Sequence, residues 1–163
     1  MGTIDALLEN NAHYAERFTG GGRKAPPSRR VAVVTCMDAR LDVVALLGLD
    51  VGEAHMIRNA GGAVTEDAIR SLTISQRLLG TREIMIIQHT DCGMQQFSGV
   101  ELKDLIERET GVRPPFALET FKNLEANVRK SIARAKESPF LAHRDVVRGF
   151  VYDVDTGRLE EVT

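Results

Sequence analysis

Short apolar segments rich in β-branched residues recur along the chain, and each is bounded by polar or glycine-containing turns. Their length and composition predict strands, the first of them buried on both faces of a parallel sheet. The predicted strands are Val31–Thr35, Ala54–Arg58, Glu83–Gln88 and Val146–Val154, with Leu159–Val162 as a short edge strand.

Segments with helical periodicity surround and separate these strands. Thr3 is predicted to cap a first helix that runs to about Phe18, and Thr65 to cap a helix that runs to Leu79. The other predicted helices are 41–47, 101–109 and 119–136. Strands that alternate with helices indicate an α/β fold, with a mainly parallel central sheet flanked by helices and an antiparallel edge strand at the C-terminus. A length of 163 residues without an interdomain linker predicts a single domain, residues 1–163.

The overall composition excludes several classes of partner. Hydrophobic residues make up 43% of the chain and charged residues 27%, as in ordinary soluble domains. A net charge of −2 provides no general attraction to nucleic acid or to an acidic membrane surface. No apolar run approaches the roughly 20 residues that span a bilayer, and the first residues lack the pattern of a secretory signal. We expect a cytoplasmic protein with neither a nucleic-acid nor a membrane partner.

The two cysteines of the chain both follow predicted buried strands. Cys36 comes directly after the first strand, with Asp38 and Arg40 close behind it. Cys92 follows the Glu83–Gln88 strand, and His89 lies three residues before it. Ligand sites in open α/β sheets form at these carboxyl ends of strands, so the five side chains are candidates for one site.

These residue types suit zinc. A catalytic zinc ion commonly takes three nitrogen or sulfur ligands and keeps a fourth position open. Cys36, His89 and Cys92 supply such a set for one zinc per chain, and Asp38 can take or vacate the fourth position. The alternative is a pair of buried structural cysteines, which the neighbouring aspartate and histidine disfavour because both are poor core residues.

Several segments resemble the β-class carbonic anhydrases, most closely the short bacterial and archaeal branch. The similarity extends from about Thr3 to Val162, and the motifs agree in order and spacing. The matching segments are Cys36–Arg40, Arg58–Gly61, His89–Gly93 and Gly149–Asp153.

The resemblance implies a zinc lyase, a carbonate dehydratase, that hydrates CO2 reversibly to bicarbonate by attack of zinc-bound hydroxide. It places zinc on Cys36, His89 and Cys92, and pairs Asp38 with Arg40. It also implies a homodimer, sometimes doubled to a tetramer. Arg40 would hold Asp38 away from the metal by a charge-assisted pair and so gate the fourth position.

The substrate pocket is less defined. Ala60, Gly61 and Gly62 are the candidate substrate-binding backbone, and a tight turn that requires glycine explains these residues equally well. Gln88, directly before His89, either touches the surroundings of the metal or fills a strand position.

The same residues bear on three rival functions. A cysteine phosphatase, Cys-x₅-Arg, fails because Asp42 and Ser98 occupy the arginine positions. A closed structural zinc site is disfavoured because Asp38 and Arg40 would have no purpose there. A hydrolase for another small linear molecule, such as carbon disulfide, is not separated from a carbonic anhydrase by these motifs.

Overall fold

A five-stranded sheet with the order β2-β1-β3-β4-β5 forms the centre of the protein in a computed structural model that describes residues 2–163. The strands β1 (Val31–Cys36), β2 (Ala54–Asn59), β3 (Glu83–His89) and β4 (Val147–Tyr152) are parallel to one another. The last strand, β5 (Leu159–Val162), pairs antiparallel with β4. The predicted α/β class, the mainly parallel sheet and the antiparallel edge strand are therefore confirmed.

Within residues 2–163, five helices accompany the sheet. They are α1 (Thr3–Glu16), α2 (Val43–Leu46), α3 (Glu66–Arg77), α4 (Gly99–Thr110) and α5 (Leu124–Glu137). Two 3₁₀ turns, Ala60–Gly62 and Gly93–Gln95, follow β2 and β3. The Thr65 cap of α3 is confirmed, since its hydroxyl accepts a hydrogen bond from the amide of Ala68.

Two predicted helix starts were wrong. The helix predicted from Glu119 begins at Leu124, because Glu119 has a φ of 56° and the Asn123 side chain caps the helix at the amide of Ala126, 2.8 Å away. The residue at the N-terminal capping position of the first helix is Gly2 rather than Thr3. The carboxylate of Asp5 accepts a hydrogen bond from the Gly2 amide. Side-chain capping, more than apolar periodicity, determines where these helices begin.

The two faces of the sheet are covered unequally. One face packs against α3 and α5, and its buried core consists of Ala32, Val34, Val64, Leu72, Ile84, Ile86, Ala135, Leu141 and Val147. On the other face a smaller buried cluster, including Val33, Leu41 and Ile87, is surrounded by half-buried residues such as Met85, Phe150 and Leu159. The second face therefore retains accessible apolar surface.

Helix α1 buries none of its side chains against the rest of the chain. Ile4, Leu7 and Leu8 are 74%, 60% and 63% exposed, and their spacing places them on one side of the helix. None of the helices in residues 2–163 is both long and apolar enough to cross a membrane.

The parallel register brings the ends of three strands to one edge of the sheet. Cys36 at the end of β1 lies opposite Asn59 of β2, and Thr35 lies opposite Ile87 of β3. The turn Ala60–Gly62 packs against these ends. A Cβ atom at Gly62 would lie 2.9 Å from the backbone nitrogen of Cys36 and 3.0 Å from the carbonyl oxygen of Ile87. Only glycine fits at this close approach.

We predict that Gly62→Ala destabilises the fold far more than Gly48→Ala does. Both glycines have a φ of 61°, so alanine at either position carries a conformational cost of about 1 to 2 kcal/mol. At Gly62 the backbone clash adds roughly 1 to 3 kcal/mol, whereas no other part of the described chain lies within 4 Å of a Cβ at Gly48. Urea unfolding of both variants measures the difference, and equal losses would contradict the close-approach argument.

Candidate metal centre

Three buried side chains from two strand ends meet at the edge of the sheet. Cys36 ends β1, His89 ends β3, and Cys92 follows in the turn after β3. Their ligand atoms all lie within 4.8 Å of one another. The structure thus brings together two thiols and an imidazole, which is a donor set that suits a borderline or soft cation.

The hydrogen bonding of His89 leaves one ring nitrogen for a ligand. Its Nδ1 lies 2.8 Å from the carbonyl oxygen of Thr90, and because a carbonyl only accepts, Nδ1 carries the proton. The Nε2 atom therefore presents a lone pair. Within residues 2–163 this buried nitrogen has no hydrogen-bond partner. An orphaned, buried lone pair beside two thiols fits a metal ion.

The two sulfur atoms share a proton. Hydrogen bonding from the Cys92 thiol is the largest effect on Cys36 and lowers the pKa of Cys36 to about 4, although burial acts in the opposite direction. The backbone amides of Asp38 and Gly61 add to the lowering. The same pairing with Cys36 raises the pKa of Cys92. The pairing therefore favours the thiolate form of Cys36, and thiolate is the form that ligates metals.

Asp38 and Arg40 form a bidentate pair beside this cluster. The Arg40 Nε and Nη2 atoms donate to the two carboxylate oxygens of Asp38 at 3.0 and 2.9 Å, and the backbone amide of Arg40 adds a third bond. These bonds hold the pKa of Asp38 well below its usual range. The Asp38 Oδ2 atom lies 3.7 Å from His89 Nε2. An ionised carboxylate therefore faces the cluster while its oxygens are bonded to Arg40.

Asp91 is a residue of this site that the sequence did not reveal. Its carboxylate accepts from Arg40 Nη1 at 2.8 Å, and its backbone carbonyl accepts from Arg40 Nη2 at 2.9 Å. A φ of 51° at Asp91 turns the backbone into position for the second bond. Its place between His89 and Cys92 was the only sequence signal. The Arg40 guanidinium is thus held from two sides.

Arg58 braces the loop that presents Asp38. Its guanidinium donates to the backbone carbonyls of Cys36, Asp38 and Leu41, at 2.9, 2.7 and 3.1 Å. These acceptors lie at the end of β1 and in the loop that follows it. This is a structural role.

The predicted substrate-binding residues form the tight 3₁₀ turn at the same edge. Gly61 and Gly62 are buried with φ angles of 79° and 61°, and Ala60 is half-buried. The Asn59 side chain closes the turn by a reciprocal pair of hydrogen bonds with the backbone of Ala63, at 2.8 and 3.0 Å. The backbone conformation alone accounts for both glycines, and their contact with a substrate stays a prediction.

Comparisons with known proteins agree with this geometry. A family model described as carbonic anhydrase matches residues 31–159. The beta-carbonic anhydrase 1 of Mycobacterium tuberculosis is 52% identical over 163 residues, which cover 100% of this chain and 99% of that protein. A carbonic anhydrase structure from Streptococcus mutans is 43% identical with a TM-score of 0.92, and the match covers 100% of this chain and 99% of that one. A carbon disulfide hydrolase of Saccharolobus solfataricus is 33% identical, over 97% of this chain and 88% of that protein.

We predict that the purified protein binds about one divalent metal ion per chain and that Cys92→Ala and His89→Ala reduce this to below about a tenth, because each removes one of three ligands. His143→Ala is the control, since His143 does not belong to the ligand cluster. Metal analysis and circular dichroism on the same samples provide the test. Stoichiometric metal in either ligand variant would remove that residue from the site.

Proposed function

The chain belongs to the β-carbonic anhydrase family, and we propose that it is a zinc enzyme that interconverts CO2 and bicarbonate. The observation that carries this proposal is the ionised carboxylate of Asp38, held by Arg40 beside a buried cluster of two cysteines and a histidine. A closed structural metal site has no use for such a group. A site that hydrates a substrate needs a group that accepts a hydrogen bond from the attacking water.

Cys36, His89 and Cys92 would hold the zinc ion. Zinc, when bound, supplies a Lewis acid that makes water a nucleophile near neutral pH. The set of two thiolates and one imidazole leaves a fourth position open, as in known catalytic sites of this composition. Because Cys36 and Cys92 are free thiols, we also propose a cytoplasmic location, where thiols stay reduced.

Asp38 would orient the attacking water. Its carboxylate accepts a hydrogen bond from the water and directs an oxygen lone pair toward the carbon of CO2. The acceptor role requires that Asp38 stays ionised and stays off the metal. Arg40 serves both requirements, since it keeps the pKa of Asp38 low and occupies both carboxylate oxygens. Asp91 in turn holds Arg40 in place.

Carbon disulfide hydrolysis is the second candidate, because relatives at about one-third identity carry that name over almost the full chain. The greater identity to a carbonic anhydrase favours CO2. Stopped-flow measurement of CO2 hydration by zinc-loaded protein, with carbon disulfide turnover measured in parallel, tests the proposal. Carbon disulfide turnover without CO2 hydration would show that carbon disulfide, and not CO2, is the substrate.

We predict that Arg40→Ala retains zinc but loses at least about tenfold in CO2 hydration. All three proposed ligands remain in this variant, yet Asp38 loses its bidentate partner and is left as a poorly paired carboxylate beside the metal. Asp38 is then free to take the open position. Arg40→Lys should restore little activity, because an ammonium lacks the planar fork.

Asp91→Asn is the matched variant for this experiment. It weakens one contact of Arg40 but leaves the Asp38 pair intact, so its loss of activity should be smaller than that of Arg40→Ala. Zinc content and hydration rate are measured on the same folded samples. Normal activity in Arg40→Ala with zinc retained would show that Arg40 does not control the fourth metal position. Loss of zinc in this variant would show that Arg40 supports the fold instead.

We further propose that two copies of the chain form the smallest active unit. The apolar side of α1 is uncovered within one copy, and the sheet face with Met85, Phe150 and Leu159 is only partly covered. Apolar surface of this kind commonly marks a protein interface. In a dimer each copy offers one such helix face and one such sheet face, so each apolar surface of one copy has a counterpart on the other.

We predict that Leu7→Glu shifts the protein toward monomer, whereas Ala6→Glu does not. Both variants introduce one carboxylate into the same helix, but Leu7 lies on the apolar side and Ala6 on the far side. Sedimentation velocity at assay concentrations measures the oligomeric state. A fully active wild-type monomer would refute the dimer, and equal effects of the two variants would remove α1 from the interface.

A further inference from the structure

The side chain of Gln88 is buried in the sheet directly before His89. It is 1% exposed, although the residues before it on the same face of β3, Ile84 and Ile86, are apolar. Burial of a carboxamide is costly unless its atoms are hydrogen-bonded. A strand position that only filled the core would favour another aliphatic residue.

The Gln88 carboxamide joins α5 to the glycine turn. Its Oε1 accepts from Asn127 Nδ2 at 3.0 Å, while its Nε2 donates to Ser131 Oγ at 3.3 Å and to the carbonyl of Gly62 at 3.4 Å. Asn127 and Ser131 lie on α5 and are 6% and 2% exposed. Three buried polar side chains thus satisfy one another across the helix–sheet interface.

Ser131 extends the network to the other side of the turn. Its hydroxyl accepts a hydrogen bond from the Val64 amide at 3.4 Å. Helix α5 therefore contacts the turn through Gln88 at Gly62 and through Ser131 at Val64. Together with the two hydrogen bonds between the Asn59 side chain and the Ala63 backbone, these contacts hold the turn from both ends.

The Ala60–Gly62 turn also contacts the candidate ligand Cys36. Gly62 packs directly on the Cys36 backbone, where a Cβ at this glycine would lie 2.9 Å from the Cys36 nitrogen, and the neighbouring Gly61 amide helps to lower the pKa of the Cys36 thiol. Small displacements of the turn therefore shift the Cys36 backbone and the sulfur that it carries. Groups that orient a ligand from outside the coordination sphere tune the metal that it binds.

We infer that Gln88, with Asn127 and Ser131, is a positioning residue that holds the Ala60–Gly62 turn against the backbone of Cys36. It acts from the opposite face of the sheet and touches neither substrate nor metal. This inference rests on the proposed metal site. It assigns Gln88, the residue before His89, a part in orienting the candidate ligand Cys36.

The test compares Gln88→Leu with Gln76→Leu in the zinc-loaded protein. Gln76 is a matched control: it is also buried, at 4% exposure, and makes two hydrogen bonds to backbone, but both go to His143. Hydrogen exchange of the Gly61 amide should accelerate about tenfold or more in Gln88→Leu, relative to the amide of Ile86 within β3. Zinc affinity, measured by chelator competition, should fall roughly tenfold in the same variant. Gln76→Leu should lower global stability without either change.

Ser131→Ala is the second variant, and it decides the outcome if Gln88→Leu does not fold. Unchanged Gly61 exchange in the folded variants, or the same acceleration in Gln76→Leu, would overturn the inference and leave Gln88 with a packing role. Neither readout uses substrate. Absence of CO2 hydration in the wild type would therefore refute the proposed function without bearing on the role of Gln88.

Discussion

The parallel pairing of β1 with β2 and β3 is the constraint on which the candidate centre depends. Parallel strands end at the same edge, so Cys36, Asn59 and His89 meet there although they are far apart in the chain. Each strand end then contributes a different part. β1 leads into Cys36 and the Asp38–Arg40 loop, β2 into the glycine turn, and β3 into His89 and Cys92. A shift in register would separate all three.

The sequence allowed prediction of the features that depend on local patterns. Apolar runs identified the strands, and the cysteines and histidine at their ends pointed to the three candidate ligands that the fold brings together. Features that depend on backbone geometry were missed. The contact of Asp91 with Arg40 requires a left-handed backbone at a non-glycine residue, which no periodicity signals. The start of α5 was misplaced because Asn123, and not the apolar pattern, determines it.

Buried polar groups were the other limit. Gln88 could be read from the sequence either as a filler or as a partner of the site, because its role depends on Asn127 and Ser131 of α5. Those two residues contact it only after the helix has packed on the sheet. The glycine turn shows the same dependence. Its positive φ angles were foreseeable, whereas the approach of Gly62 to the Cys36 backbone depends on the sheet.

The hydrogen bond from His89 Nδ1 to the carbonyl of Thr90 also bears on how fast a metal ion can be captured. The acceptor is the backbone of the next residue, so folding of β3 fixes the ring orientation and its protonation state together. An incoming ion would meet a lone pair already placed within 4.8 Å of the two sulfurs, and capture would need neither a ring flip nor a proton transfer at this ligand. Access to the cluster and deprotonation at the cysteines, and not rearrangement of the imidazole, would then limit metal uptake.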